Sequence, residues 1–250
     1  MARGSLFAGI IKSGALAAAL LAGAAVPGHA GDAPKLTLSG SATFTTDYMF
    51  RGVTNTSQNP AVQPEIDLTY GIFWAYIWGS NTAFGENIEL DYGAGISPKW
   101  NNITFSLGWL YYTYPGANVL DYGELKTGGV WAKGPWSIAV NNYWSPNNFG
   151  LDIQSDAVDG TVGYTFTWKL WNFFTPTISG QLGYQWYENS PDVIPNFAYW
   201  NAGLTLAFLE HWSADIRYWD TNYSKDECVL NSGLRDGCDA RAVGTIKVTF

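Results

Sequence analysis

The feature that most limits how this chain can fold is its last stretch, residues 240–250, which ends Gly244-Thr245-Ile246-Lys247-Val248-Thr249-Phe250. Ala242, Gly244, Ile246, Val248 and Phe250 share one parity. Arg241, Thr245, Lys247 and Thr249 share the other, with Val243 as the apolar exception. Successive side chains of a strand point to opposite faces, so this is a strand with one apolar side. A free edge of that kind invites aggregation unless another strand pairs with it. Pairing with the first strand would close the sheet into a barrel and leave no edge.

The rest of the chain supplies strands of the same kind. Alternation predicts eleven more, over residues 36–50, 62–70, 72–80, 88–97, 103–114, 122–131, 136–144, 158–168, 177–188, 198–208 and 212–219. In the second, Val62, Ile66, Leu68 and Tyr70 oppose Gln63, Glu65, Asp67 and Thr69. In the ninth, Ile178, Leu182, Tyr184 and Trp186 oppose Ser179, Gln181, Gly183 and Gln185. The third is apolar on both faces, so only its neighbours can fix its phase. The sixth, with Gly123, Gly128 and Gly129, alternates least cleanly.

A soluble sandwich also alternates, with its apolar face turned inward. Three features favour a membrane barrel. The strand count is even, as in single-chain outer-membrane barrels. Long connections follow strands one, seven, nine and eleven and short ones follow strands two, four, six and ten, while residues 169–176 blur the pattern. Aromatics crowd the strand ends at Tyr48, Phe50, Tyr70, Trp144, Trp168, Trp186, Trp200 and Trp212, where a membrane–water interface suits them. Only 14% of residues are charged, against a usual share of about 25%. No segment after residue 30 is long and apolar enough for a spanning helix. The expected fold is therefore all-β: a closed, antiparallel, up-and-down transmembrane barrel of about twelve strands.

Residues 1–30 read as a secretory signal peptide, with Arg3 and Lys12, an apolar run over 15–26, and Gly28-His29-Ala30 at the cleavage position. The barrel then occupies 31–250. Removing the leader leaves 11 bases against 21 acids, a net charge of −10. The expected location is the bacterial outer membrane.

Several segments together resemble one family: Thr45-Thr46-Asp47-Tyr48-Met49-Phe50-Arg51-Gly52, Asn59-Pro60-Ala61-Val62-Gln63, Trp78-Gly79-Ser80-Asn81, Glu89-Leu90-Asp91-Tyr92 with Gly95, and Tyr112-Thr113-Tyr114-Pro115-Gly116. As a set they are similar to the TorF family of porins, outer-membrane proteins of the Gcw_chp type. Tyr143-Trp144-Ser145-Pro146 departs from the tyrosine–serine pair expected there. The resemblance spans nearly all of 31–250. It implies an outer-membrane pore of unassigned substrate and brings no catalytic residues.

The strand phases place thirteen charged residues toward the lumen. Eight are acids: Asp47, Glu65, Asp67, Glu89, Asp91, Glu124, Asp159 and Asp215. Five are bases: Arg51, Lys126, Arg217, Arg241 and Lys247. The acidic surplus predicts a passive, narrow channel for ions and small solutes that prefers cations. Cys228 and Cys238, an even pair in an exported chain with no histidine nearby, predict a disulfide in the last loop. The spacing of Asp220, Asn222, Ser224 and Asp226 imitates a calcium loop, but Lys225 and Asn231 replace the required Gly and Glu, so it reads as a solvated acidic loop. His211 stands alone in a turn, and no nucleotide or nucleophile motif occurs, so no enzyme, cofactor or metal is expected. The expected partners are membrane lipid, small solutes or ions, and the barrel assembly machinery acting on the strand that ends at Phe250, with no nucleic acid. Two other classes compete: a structural or adhesive barrel without an open pore, and a secreted aromatic-rich sandwich that binds carbohydrate.

Overall fold

The computed structural model describes residues 34–188 and 194–250. The expected leader, 1–30, lies outside the described residues. Twelve long strands follow one another in the chain: β1 (Leu36–Thr45), β2 (Ala61–Tyr70), β3 (Phe73–Asn81), β4 (Ile88–Ile96), β5 (Ile103–Thr113), β6 (Tyr122–Lys133), β7 (Trp136–Ser145), β8 (Ser155–Thr165), β9 (Thr175–Tyr187), β10 (Phe197–Phe208), β11 (Trp212–Thr221) and β12 (Arg241–Thr249). Each pairs antiparallel with the next, and β12 pairs with β1 from Ser41↔Thr249 to Thr45↔Thr245. The sheet is thus a closed up-and-down barrel, and no long strand keeps an open edge.

The size follows from the register. Paired residues lead round from Ser41 through Glu65, Trp78, Asp91, Tyr112 and Tyr122, across the other strands, and back to the line of β1 at position 57, 16 residues further on. With strands about 4.8 Å apart and about 3.3 Å of rise per residue, that stagger tilts the strands by about 43°. The backbone cylinder then has a radius of about 12–13 Å. Such an interior is wider than side chains from the wall can fill.

Burial alternates along the strands, and the exposed set is the apolar one. Ile66, Leu68, Ile77, Val140, Val162, Ile178, Leu182, Ile216 and Ile246 face out. Gln63, Asp67, Glu89, Asp91, Asn141, Asp159, Asn201 and Arg217 are buried within. A sandwich would have the reverse, so the carbohydrate-binding sandwich is excluded. An apolar exterior around a polar interior is what a lipid environment selects.

Three expectations need correction. Strand one does not run to residue 50. It ends at Thr45, and the chain turns inward, so Tyr48 is fully buried and Phe50 half-buried inside the barrel instead of facing lipid. Strand eight is Ser155–Thr165, which leaves Trp168 in a turn, exposed. The last loop contains a helix, α1 (Lys225–Ser232), where a solvated acidic loop was expected. Its start is a capping box: the Ser224 hydroxyl accepts from the Glu227 amide and the Glu227 carboxylate accepts from the Ser224 amide. Gly233, at φ 74°, ends it. The Ser224 hydroxyl also donates to the Glu227 carboxylate at 2.6 Å, and this bond first, then the one from the Ser224 amide, holds the Glu227 carboxyl below its usual range.

The third strand's phase is settled by the fold. Trp74, Tyr76 and Trp78 point into the barrel and Phe73 and Ile77 point out.

Candidate functional site

Residues 46–60, the connection from β1 to β2, fold into the barrel and bridge it. Asp47 anchors the entry. Its carboxylate accepts the hydroxyls of Thr54 and Thr56, the latter at 2.9 Å, and pairs with Arg241 of β12 at 2.9 Å. Thr56 in turn accepts the Tyr48 amide at 3.0 Å. Met49–Phe50 and Val53–Thr54 then pair as a small hairpin, turned by Arg51 at φ 50° and Gly52 at φ 81°. Two consecutive residues with positive φ suit a tight hairpin turn, and glycine takes the second without strain. A Cβ on Gly52 would come within 2.5 Å of Thr221 on β11, so the tip is also wedged against the wall.

That turn carries Arg51 across the lumen. Nη2 donates to Glu124 of β6 at 2.8 Å and Nη1 donates to Gln185 of β9 at 2.8 Å. The guanidinium lies 4.7 Å from the Phe50 ring centroid and 5.0 Å from that of Tyr143, within cation–π range. The hydroxyl of Tyr112 also donates to Glu124 Oε2, at 2.9 Å. The hairpin is tied at its flanks as well: the Thr54 amide donates to the carbonyl of Gly237, and the Ala83 amide donates to that of Asn55. Gly237 adjoins the Cys228–Cys238 disulfide, both of whose cysteines are buried.

The loop divides the lumen into two unlike sides. On the β2–β7 side, Tyr48 packs with Trp74, Tyr76, Trp78, Leu110, Tyr112, Tyr114, Tyr122 and Tyr143. Among these rings lie Glu89 and Asp91 of β4, both buried. On the β9–β12 side the inner wall is more polar, with Arg217, Asn201 and Thr205 buried and Ser179, Gln181, Asp215 and Lys247 half-buried. Arg217 donates to Asn201 at 2.7 Å and Ser179 at 2.9 Å and pairs with Asp215 at 3.1 Å, and Thr205 donates to Asp215 at 2.7 Å. Lys247 pairs with Glu65 across the β12–β1–β2 seam at 3.5 Å.

Eleven of the thirteen charged residues singled out by phase are on strands, with their side chains inside. Asp47 and Arg51 are instead on the bridging loop. Lys126 approaches the Tyr143 ring at 5.8 Å, and Asp159 accepts from Asn141 at 3.1 Å and from the Tyr199 hydroxyl at 3.3 Å. Sequence reasoning missed Tyr48, Tyr112, Tyr143 and Gln185 as partners of this machinery. His211 is exposed in its turn. Among the described residues no group of three or more His, Cys, Asp or Glu could hold a metal ion.

A closed twelve-stranded antiparallel barrel with an apolar exterior and a loop-narrowed polar lumen is the fold of outer-membrane porins. Its backbone is similar to that of a KdgM porin, with a TM-score of 0.56 at 11% identity over 85% of this chain and 99% of that one. It is similar also to a NanC porin, with a TM-score of 0.51 at 12% identity over 86% and 99%. The chain belongs to the Gcw_chp family, bacterial proteins of unknown function, whose family model matches residues 29–250. No curated protein matches it in sequence.

Proposed function

We propose that the protein is a passive outer-membrane channel for ions and small solutes, with a preference for cations. The observation that carries this reading is the lumen itself: a polar interior about 25 Å across at the backbone, narrowed by one inward loop. The solute path runs along the half-buried polar residues Ser179, Gln181, Asp215 and Lys247 of the β9–β12 side and past the Arg51 bridge. Eight carboxylates against five bases inside low-dielectric walls concentrate cations. The resemblance to TorF porins in the sequence points the same way. The apolar outer face supports a place in the outer membrane, with the barrel end that bears loop 222–240 and the mouth of the inward loop 46–60 turned outward. The strand ending at Phe250 is then the segment presented to the assembly machinery.

The test is the reversal potential across a salt gradient in a planar bilayer, for the native protein and for Glu65→Gln with Asp215→Asn. A cation preference that weakens in the variant supports the reading. Anion selectivity of the folded native protein ends it. A second reading, a barrel without an open pore, is favoured by the complete burial of Tyr48, Met49 and Arg51 in the bridging loop. In that case the native protein gives no conductance and deletion of residues 49–54 creates it.

A further inference from the structure

We propose that the barrel rectifies ion flow: its two mouths carry opposite charge, and current passes more readily when the loop end is held positive. This rests on the channel reading and adds a direction to it.

The strand order defines the two mouths. β1 runs from the end where Leu36 pairs with Tyr70 to the end where Thr45 pairs with Ala61. The antiparallel order then gathers turns 71–72, 97–102, 134–135, 166–174 and 209–211 at the first end. Loops 82–87, 114–121, 146–154, 188–196 and 222–240 gather at the second.

Charge is sorted between these ends. The turn end holds Lys35 just before β1, Lys99, Lys133 at the close of β6, and Lys169, all exposed. Its turns hold one acid, Glu210, so bases exceed acids there by three. None of the four lysines forms an ion pair among the described residues. The loop end is the reverse, with eight acids against two bases among the described residues. Lys225 pairs with Asp239 at 3.3 Å and Arg235 with Asp226 at 2.6 Å. That leaves an excess of six: Glu86, Asp121, Asp152, Glu188, Glu227 and Asp236. The bridging loop does not alter the balance, since Asp47 is paired with Arg241 and Arg51 with Glu124.

Distances decide whether the two ends act separately. The backbone radius at each mouth is about 12–13 Å. A ten-residue strand tilted by about 43° rises about 24 Å along the axis. The screening length is about 10 Å at 0.1 M salt, so rim charges reach most of the way to the axis while the ends stay independent. At about 1 M it is about 3 Å, and neither mouth is felt. At about 0.01 M it is about 30 Å, and the two fields overlap. The asymmetry is therefore greatest near 0.1 M.

The sense of the rectification follows. The acidic mouth concentrates cations and the basic mouth anions. A positive potential on the loop side drives cations in through the acidic mouth and anions in through the basic one, and the lumen fills with carriers. The opposite potential requires each ion to enter by the mouth that repels it, and the lumen is depleted.

The test is single-channel current in a planar bilayer at equal and opposite voltages, in potassium chloride at about 0.1 M and about 1 M. The chamber from which streptavidin blocks channels biotinylated at Leu151→Cys, in loop 146–154, identifies the loop side. The expected current ratio is about 1.5 or more at the lower salt and near one at the higher. Lys35→Gln, Lys99→Gln, Lys133→Gln and Lys169→Gln together should at least halve the excess over one. Glu86→Gln, Asp152→Asn and Glu188→Gln together should do the same from the other mouth. All seven residues are exposed at strand ends, turns or loops, and heat-modifiable gel migration checks that each set folds. Equal currents at the lower salt, a larger current at the opposite polarity, a ratio that survives the higher salt, or a ratio unmoved by both sets overturns the proposal. Conductance with equal currents would sink the rectification and leave the channel. No conductance from folded protein would sink the channel and the rectification with it.

Discussion

Arg51→Ala is the perturbation that reports most directly on the bridging loop. The side chain makes two charge-assisted hydrogen bonds of 2.8 Å, to Glu124 and Gln185, and lies against two rings. Its removal leaves Glu124, fully buried, without its counter-charge. Breaking a buried pair from one side costs about 3–5 kcal/mol, and each 1.4 kcal/mol is about a factor of ten in an equilibrium. If that cost falls on the docking of residues 46–60, the undocked population rises by about two to three and a half orders of magnitude. The strands and their hydrogen bonds are untouched, so the barrel itself stays folded. Single-channel recording in a planar bilayer should show a larger or more frequently open conductance. The lumen loses one base, so its cation preference should rise. Glu124→Gln in the same chain removes the stranded charge, and the double variant should lie closer to the native protein than Arg51→Ala alone. A correctly folded Arg51→Ala protein with native conductance and selectivity would refute the idea that this contact holds the constriction.

Four further outcomes can be measured. Leu182 is 64% exposed on the outer wall while Gln181 accepts from Asn201 inside at 2.6 Å. Leu182→Arg should therefore cost assembly about 2–4 kcal/mol, and Gln181→Arg far less, read as folded yield in lipid vesicles; equal yields would contradict the assigned faces. Gly52→Ala forces a Cβ to within 2.5 Å of Thr221 at a positive φ, and the hairpin tip should be displaced, seen as increased conductance like that of Arg51→Ala. Replacing Cys228 and Cys238 by serine should lower the local stability of loop 222–240 by about 2–3 kcal/mol, and hydrogen exchange at the Thr54 amide, which donates to Gly237, should speed up with it. The Glu227 carboxyl titrates below its usual value when folded, so its contribution to the α1 cap is present above about pH 4.3 and disappears as pH falls through the lowered value. Amide exchange over 225–228 that is no faster at pH 3 than at pH 6, after correction for intrinsic rates, would contradict this.

The barrel was legible because lipid and water impose a strict period of two. That period alone placed Glu65 and Asp67, Glu89 and Asp91, and Arg217 on the inner wall. It even assigned Glu124 and Lys126 to one face of the glycine-rich sixth strand. Period-two reasoning failed where the chain stops being a strand but keeps alternating. Residues 46–50 continue the pattern of β1, and nothing local says that Asp47 will be captured by Thr54, Thr56 and Arg241. A signal was nevertheless present. Trp74, Tyr76 and Trp78 made the third strand apolar on both faces, Leu110 broke the polar face of the fifth, and Val243 was the exception in the last. In the structure Trp74, Tyr76, Trp78 and Leu110 pack in one cluster with Tyr48, and Val243 packs with Met49. Apolar residues on an inward face are the footprint of something lying on it. Helix α1 was likewise written in Ser224, Glu227 and Gly233, which a search for metal ligands passed over.

The seam between β1 and β12 has a consequence for how the molecule comes into being. Eleven of the twelve strand pairings join chain neighbours and can form as local hairpins within microseconds. The twelfth joins residues about two hundred positions apart, as in the hydrogen bond between Thr45 and Thr245. It has five paired positions, against ten between β1 and β2 and eleven between β8 and β9, and ends where Phe250 and Gly40 exchange backbone hydrogen bonds. Long-range closure with few contacts is a slow kinetic step. Until it happens, two strand edges stay open, and hydrocarbon tolerates neither. Closure and entry into the bilayer must therefore be concerted, and the rate of both is set by the last residues of the chain finding the first strand.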